Sequence, residues 1–118
     1  MSDLRPKGVP VVIDGVERHM LFTLNAIDEL QEHYKEDLSK IIDRLTDKEE
    51  AVSTLRQILA TLLNDEAERE SANGKELKQY TTREVGWLVS LDNQEQILLA
   101  ILAAYGLSLP EGDEDSPN

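Results

Sequence analysis

The chain contains no cysteine, which excludes a disulfide framework, a thiolate nucleophile and any cysteine-based zinc site. Bases are scarce: 12 Lys and Arg stand against 24 Asp and Glu, a formal net charge of −12. Binding to nucleic acid or to an anionic membrane surface needs a basic footprint, so both are disfavoured. Aromatic residues are few, one Trp, three Tyr and one Phe, so a core must be mainly aliphatic. The longest uninterrupted apolar run, Ile97 to Tyr105, falls well short of the roughly 20 residues of a membrane-spanning helix. The opening MSDLRPKGVP lacks the apolar centre of a signal peptide. These absences lead to the expectation of a soluble, cytoplasmic protein.

What the chain does contain is helical periodicity. From Ile27 the large apolar residues Ile27, Leu30, Tyr34, Leu38, Ile41 and Leu45 are spaced 3, 4, 4, 3 and 4 apart, while acids such as Asp28, Glu29, Glu32 and Asp43 fill the other face. Asn25 is the expected N-cap. No Gly or Pro forces a stop near Lys35, so the segment either breaks there or runs on to Leu45. Before it, Val9 to Ile13 and Val16 to Leu24 flank Asp14-Gly15, the residue pair preferred in a two-residue hairpin turn. That register sets Ile13 opposite Val16, Val11 opposite Arg18 and Val9 opposite Met20. The hairpin either covers a helical core or offers an edge to another strand.

Further on, Thr46 or Asp47 caps a helix carrying Val52, Leu55, Leu59 and Leu62, widened by Ile58 and Leu63 and ending between Asn64 and Gly74. The polar stretch Asn64 to Gln79 breaks the pattern, with Asn73-Gly74 as its turn. Thr81 and Glu84 form a capping box opening a short helix with Val85, Trp87, Leu88 and Leu91. The last helix, QEQILLAILAAY, ends at Gly106 as a C′ glycine. The expected organisation is a flexible lead-in at 1–8 and one domain at 9–106, with the hairpin at 9–24 and helices over 25–106. An acidic disordered tail at 107–118 follows. The fold class is α+β, mainly α, with an N-terminal hairpin and four to five helices in a small bundle.

No catalytic, cofactor or metal site is expected. His19 and His33 are the only histidines and are not spaced as a metal pair. The acid pairs Asp28/Glu32 and Glu32/Glu36 fall on what should be a solvated helix face, with no apolar walls to enclose them as general acid–base catalysis needs. The tail's Asp113-Glu114-Asp115 lacks the other ligands of a calcium loop. Ser53 and Thr54 have no companion base. The least ordinary feature is the last helix, apolar on every side. It is either the central helix of the fold or covered by a second chain. On the second reading the partner-binding residues are Trp87, Leu88, Leu91, Ile97, Leu98, Ile101, Leu102 and Tyr105.

A hairpin running into FTLNAIDELQEHY and then LSKII resembles the opening of the tail assembly chaperones of long-tailed bacteriophages, including prophage and gene-transfer-agent relatives. The matching residues are Leu21-Phe22-Thr23, then Ala26, Ile27, Leu30, Glu32 and Tyr34, then Leu38-Ser39 and Ile41-Ile42. The helix around Leu55 to Leu63, the helix start at Thr82 to Val85 and the apolar last helix extend the likeness over residues 9 to 106. One departure is Lys35, which stands where the family has glycine.

The resemblance implies a cytoplasmic, non-virion assembly factor that shields the tape measure protein and helps recruit tail tube subunits, in some relatives through a longer frameshifted form. Self-association as a homo-oligomer is a further option. The rival expectations are a structural tail component, such as a tube or completion protein, and an acidic inhibitor that mimics nucleic acid.

Overall fold

The computed structural model describes residues 7–109. The expected lead-in before Lys7 and the acidic tail from Pro110 lie outside the described residues. The fold is α+β, mainly α: strands β1 (Val9–Ile13) and β2 (Val16–Met20) precede helices α1 (Leu24–Tyr34), α2 (Leu38–Asp43), α3 (Ala51–Ala72), α4 (Thr82–Leu88) and α5 (Gln94–Ser108). A single 3₁₀ turn, Arg44–Thr46, follows α2.

Asp14 (φ 56°) and Gly15 (φ 79°) both take positive φ, as a two-residue turn of the hairpin type requires. The strands pair in the register read from the sequence, Val9 with Met20 through Ile13 with Val16. Alternation then buries Val11, Ile13, Arg18 and Met20 and leaves Val12 and Glu17 outside. β2 is shorter than expected, because the chain leaves the ladder after Met20 and Leu24 already belongs to α1. Gly8 (φ 103°) is fixed against β2 and is not a loose lead-in: a Cβ there would lie 2.6 Å from the Met20 carbonyl oxygen.

The N-cap of α1 is Thr23, not Asn25. Thr23 is extended and its Oγ1 accepts from the Ala26 N–H at 3.1 Å, whereas Asn25 lies inside the helix. The break near Lys35 is real and needs no glycine or proline. Lys35 turns left-handed (φ 60°, ψ 37°), its N–H donating to the Gln31 carbonyl at 2.7 Å. The Gln31 side-chain oxygen accepts from the Leu38 N–H at 2.9 Å, so one glutamine closes α1 and opens α2. The apolar spacing survives the break, with Leu30, Leu38, Ile41 and Leu45 buried and Ile27 and Tyr34 packed against them.

α3 begins later than either expected cap. Thr46 Oγ1 donates back to the Asp43 carbonyl, and Asp47 accepts from the Glu49 N–H to fold an extra turn first. Val52 is exposed, so the buried stripe starts at Thr54 and Leu55. The helix ends at Ala72 before the turn at Asn73 and Gly74 (φ 84°), which makes half of the expected polar break helical. Ile58 to Leu63 are all buried, and α3 packs against α1, β2, α4 and the 3₁₀ turn. The central helix is therefore α3.

α4 opens with the expected capping box between Thr81 and Glu84. Leu91 lies beyond it, in the turn leading to α5. α5 packs against β1 and β2 and is buried only along Ile97, Ala100, Ile101 and Ala104, a stripe on one side. It runs through Gly106 to Ser108, so Gly106 is not its cap and residues 107–108 belong to the domain. Among the described residues, no helix is long and apolar enough to cross a membrane.

Candidate functional site

Once Ile97, Ala100, Ile101 and Ala104 turn inward, the helical period carries Leu99, Leu102, Ala103 and Gly106 to the opposite side of α5. Leu99 is 57% exposed, Leu102 38% and the flanking Leu107 73%. Three leucines on the outside of one short helix form an apolar face that nothing among the described residues covers.

The residues expected to bind a partner divide three ways. Trp87, Leu91 and Leu102 are exposed, with Trp87 at 72% and Leu91 at 92%. Leu88, Leu98 and Tyr105 are half-buried, packed against the core, and the Tyr105 ring meets Phe22 edge-on at 6.4 Å between centroids. Ile97 and Ile101 are fully buried beneath the hairpin and cannot touch another chain, which corrects their assignment as contact residues. Sequence reasoning missed Leu99 and Leu107. The signal was present: fixing one buried stripe on α5 determines the exposed one by period alone. Trp87 is partly occupied already, since the Arg83 guanidinium lies 5.8 Å from its ring centre.

A second, polar assembly was not anticipated. Arg18 points inward from β2 and is almost completely buried. Its Nε donates to Glu66 Oε1 at 2.8 Å, Nη2 to the Leu63 carbonyl at 2.7 Å and Nη1 to the Lys78 carbonyl at 3.2 Å. Glu66 also accepts from the His19 backbone N–H at 3.1 Å, and its Oε2 lies 2.8 Å from His19 Nδ1. Burial by itself would raise the Glu66 pKa, but hydrogen bonds from His19 and Arg18 outweigh it and hold the carboxyl below its ordinary value. One helical position earlier, Asp65 accepts from Thr23 Oγ1 at 2.8 Å and from Arg69 Nε at 3.1 Å. The N-cap of α1 is thereby tied to α3.

This network borders a groove of about 680 Å³ between the end of β2 and the second half of α3, lined among others by Lys7, His19, Thr23, Arg69 and Glu70. The Nη2 of Arg69 is buried there without a hydrogen-bond partner among the described residues. The His19–Glu66 pair has the residue types of an acid–base dyad, yet its surroundings direct it elsewhere. The other ring nitrogen of His19 lies 3.3 Å from Glu17 Oε2, so both ring nitrogens face carboxylates of the protein itself. The assembly is suited to clamping β2 onto α3.

The remaining polar candidates fall on the surface. Asp28, Glu32 and His33 are exposed, while Glu36 is partly buried and accepts from Arg44 Nη2 at 2.9 Å. Arg44 also contacts Glu50 and lies 5.0 Å from the centre of the Tyr34 ring, pinning the α1–α2 break to the start of α3. Among the described residues, no cluster of His, Asp and Glu could hold a metal ion. No family model, no curated protein and no solved structure matches the chain.

Proposed function

We propose that this chain is a tail assembly chaperone of a long-tailed phage or prophage, a non-enzymatic factor of the host cytoplasm. It shields the tape measure protein and helps recruit tail tube subunits. The observation that carries the reading is the outer face of α5, where Leu99, Leu102 and Leu107 stand exposed on a body of net charge −12. An apolar face offers a helical client somewhere to lie, and the surrounding charge keeps the carrier soluble. A second support is Lys35. It holds the left-handed backbone that glycine adopts at no cost, at the position where the resembled family has glycine.

The test is co-expression with the tape measure protein of the same genome. Soluble tape measure protein should rise and co-migrate with the chain on a sizing column, and Leu99→Glu with Leu102→Glu should abolish both effects. Unchanged solubility with no complex would remove the reading. A structural tail component is the second reading, favoured by Val12 and Val16, which stand exposed on the hairpin where a further strand could pack. Recovery of the chain in purified particles would select it over a chaperone.

A further inference from the structure

The described arginines fall into two groups. Arg18, Arg44 and Arg69 each hold a carboxylate, on Glu66, on Glu36 and Glu50, and on Asp65. Arg56 on α3 and Arg83 on α4 pair with no carboxylate among the described residues, although the chain has 24 acids to 12 bases. The sequence accounts for their isolation. No acid stands three or four positions from either arginine along its helix, and α3 has none from Ala51 to Asn64. The acid of α4, Glu84, is turned back into the capping box, where its Oε1 accepts from the Thr81 N–H at 2.9 Å.

The two arginines lie on adjoining ridges of α4. Arg56 Nε donates to the Thr82 carbonyl at 3.2 Å, and its side chain crosses Gly86, where a Cβ would lie 3.1 Å from that nitrogen. Arg83 follows Thr82 and stands three positions before Gly86 and four before Trp87, so all four are neighbours on the helix surface. Its guanidinium lies 5.8 Å from the Trp87 ring centre, and a guanidinium over a ring keeps its N–H donors. Trp87 is exposed, as is Val52, one turn before Arg56 on α3.

Two guanidinium groups without carboxylates, beside an exposed tryptophan, ask for an anionic partner with an apolar side. Planar forks match carboxylates bidentately, and Trp and Arg are the side chains on which interface energy concentrates. A nucleic-acid strand carries a charge at every residue, and a body of net charge −12 opposes it. A second copy brings the same −12 to the contact. A helix of another protein can carry its carboxylates at one place only and be neutral elsewhere.

We infer that Arg56, Arg83 and Trp87 form a docking surface for an amphipathic helix of a partner protein. Two carboxylates one turn apart lie on the guanidinium groups, and an apolar stripe lies on Trp87. The surface belongs to α3 and α4, not α5, and does not depend on the tail-assembly reading.

Two fluorescein-labelled helical peptides of about 20 residues, each uncharged overall, test it by anisotropy against the full chain at an ionic strength of about 0.15 M. One has a leucine stripe flanked by two glutamates a turn apart, balanced by two lysines on the far face. The other has glutamine at all four positions. The glutamate peptide should bind at least about tenfold more tightly. Arg83→Gln, at an exposed position, should remove most of that difference while leaving the thermal melt in place, and Arg56→Gln should act in the same direction. Trp87→Ser should weaken both peptides, and Leu99→Ser should leave the difference between them unchanged.

Equal binding of the two peptides, no binding of either, or a difference that survives the double arginine variant would overturn the inference. So would loss of the difference in Leu99→Ser, which would place the peptide on α5. Oligothymidylate that binds as tightly as the glutamate peptide, and is lost in Arg83→Gln, would make this a nucleic-acid surface instead. A wild-type dimer on sedimentation that Arg83→Gln dissociates would give the surface to a second copy. A chain that discriminates the peptides as expected yet leaves the tape measure protein insoluble would keep this inference and remove the tail-assembly reading.

Discussion

Arg18 and Glu66 lie 48 residues apart in the chain and meet at 2.8 Å, both almost entirely shut off from solvent. Arg18 comes from the hairpin and Glu66 from the central helix, so the pair fixes where β2 sits on α3. Removing one member of a buried pair leaves an uncompensated charge, at a cost of roughly 3–5 kcal/mol, whereas replacing both by apolar residues of similar volume is often neutral. Arg18→Met should therefore lower unfolding stability in urea by about 3 kcal/mol. Arg18→Met combined with Glu66→Leu should recover most of that loss. A single variant costing less than about 1 kcal/mol, the range of exposed pairs, would show that solvent reaches the pair.

The same carboxylate sets a pH dependence. Burial opposes the charge of Glu66, and the bonds from His19 and Arg18 more than reverse that, so its pKa in the folded chain lies below the unfolded value. Such a group contributes its full stabilisation above the ordinary glutamate value, about 4.3, and loses it as pH falls through the lower folded value. The wild type should accordingly lose stability between about pH 5 and pH 3 more steeply than Glu66→Gln. Parallel urea midpoints for the two proteins across that range would contradict the assigned direction.

Lys35 offers a substitution whose sign is informative. In the interior of a continuous helix, glycine costs about 1 kcal/mol relative to alanine. At a left-handed position, glycine relieves a strain of about 1–2 kcal/mol carried by any other L-residue. Lys35→Gly should thus stabilise the chain by up to about 1 kcal/mol, and Lys35→Val should destabilise it by at least as much. The exposed Lys35–Glu32 pair, 3.0 Å apart, adds little to either value. Destabilisation by glycine in thermal melts would mean that α1 and α2 form one helix in solution.

The pattern of what the sequence disclosed follows from how local each determinant is. The hairpin and its register were legible because Asp14-Gly15 determines the turn from two adjacent residues. The capping box at Thr81 and Glu84 was legible for the same reason. The end of α1 was not, because it depends on Gln31 reaching forward to Leu38, a contact between ordinary helix formers with no local signature. The polar clamp went unread although both halves were visible: Arg18 falls on the inward side of the predicted hairpin, and Glu66 falls four residues past Leu62 on the buried stripe of α3. Each looks like an exception alone, and only the pairing across 48 residues explains both. The last helix misled because its composition is apolar all round, so the sequence has no polar face to show which side is inward.

Thr23 has two duties, and separating them gives a further expectation. Its Oγ1 caps α1 by accepting from the Ala26 N–H and also donates to Asp65 on α3. Loss of an N-cap costs about 1 kcal/mol, and the bond to a buried carboxylate adds roughly 1.5 or more. Thr23→Ala should therefore cost about 2–3 kcal/mol by chemical denaturation. Asn25→Ala should change stability by no more than about 0.5 kcal/mol, since Asn25 is an exposed first-turn position and the cap is Thr23. Similar losses for the two variants would return the cap to Asn25.

The two sides of α5 should respond to mutation in opposite ways. Ile101 is fully buried against the hairpin, and truncation of such a side chain removes both its transfer energy and its packing, so Ile101→Ala should cost about 2–5 kcal/mol. Leu99 stands outside with most of its surface in water, so Leu99→Ser should change stability by no more than about 0.5 kcal/mol. Client capture should show the reverse dependence: Leu99→Ser weakens it, while any Ile101→Ala chains that remain folded retain it. Guanidinium melts and a pull-down on the same two variants decide the matter. If Leu99→Ser lowers stability as much as Ile101→Ala does, the outer face of α5 is part of the protein's own core, and the docking surface assigned to it does not exist.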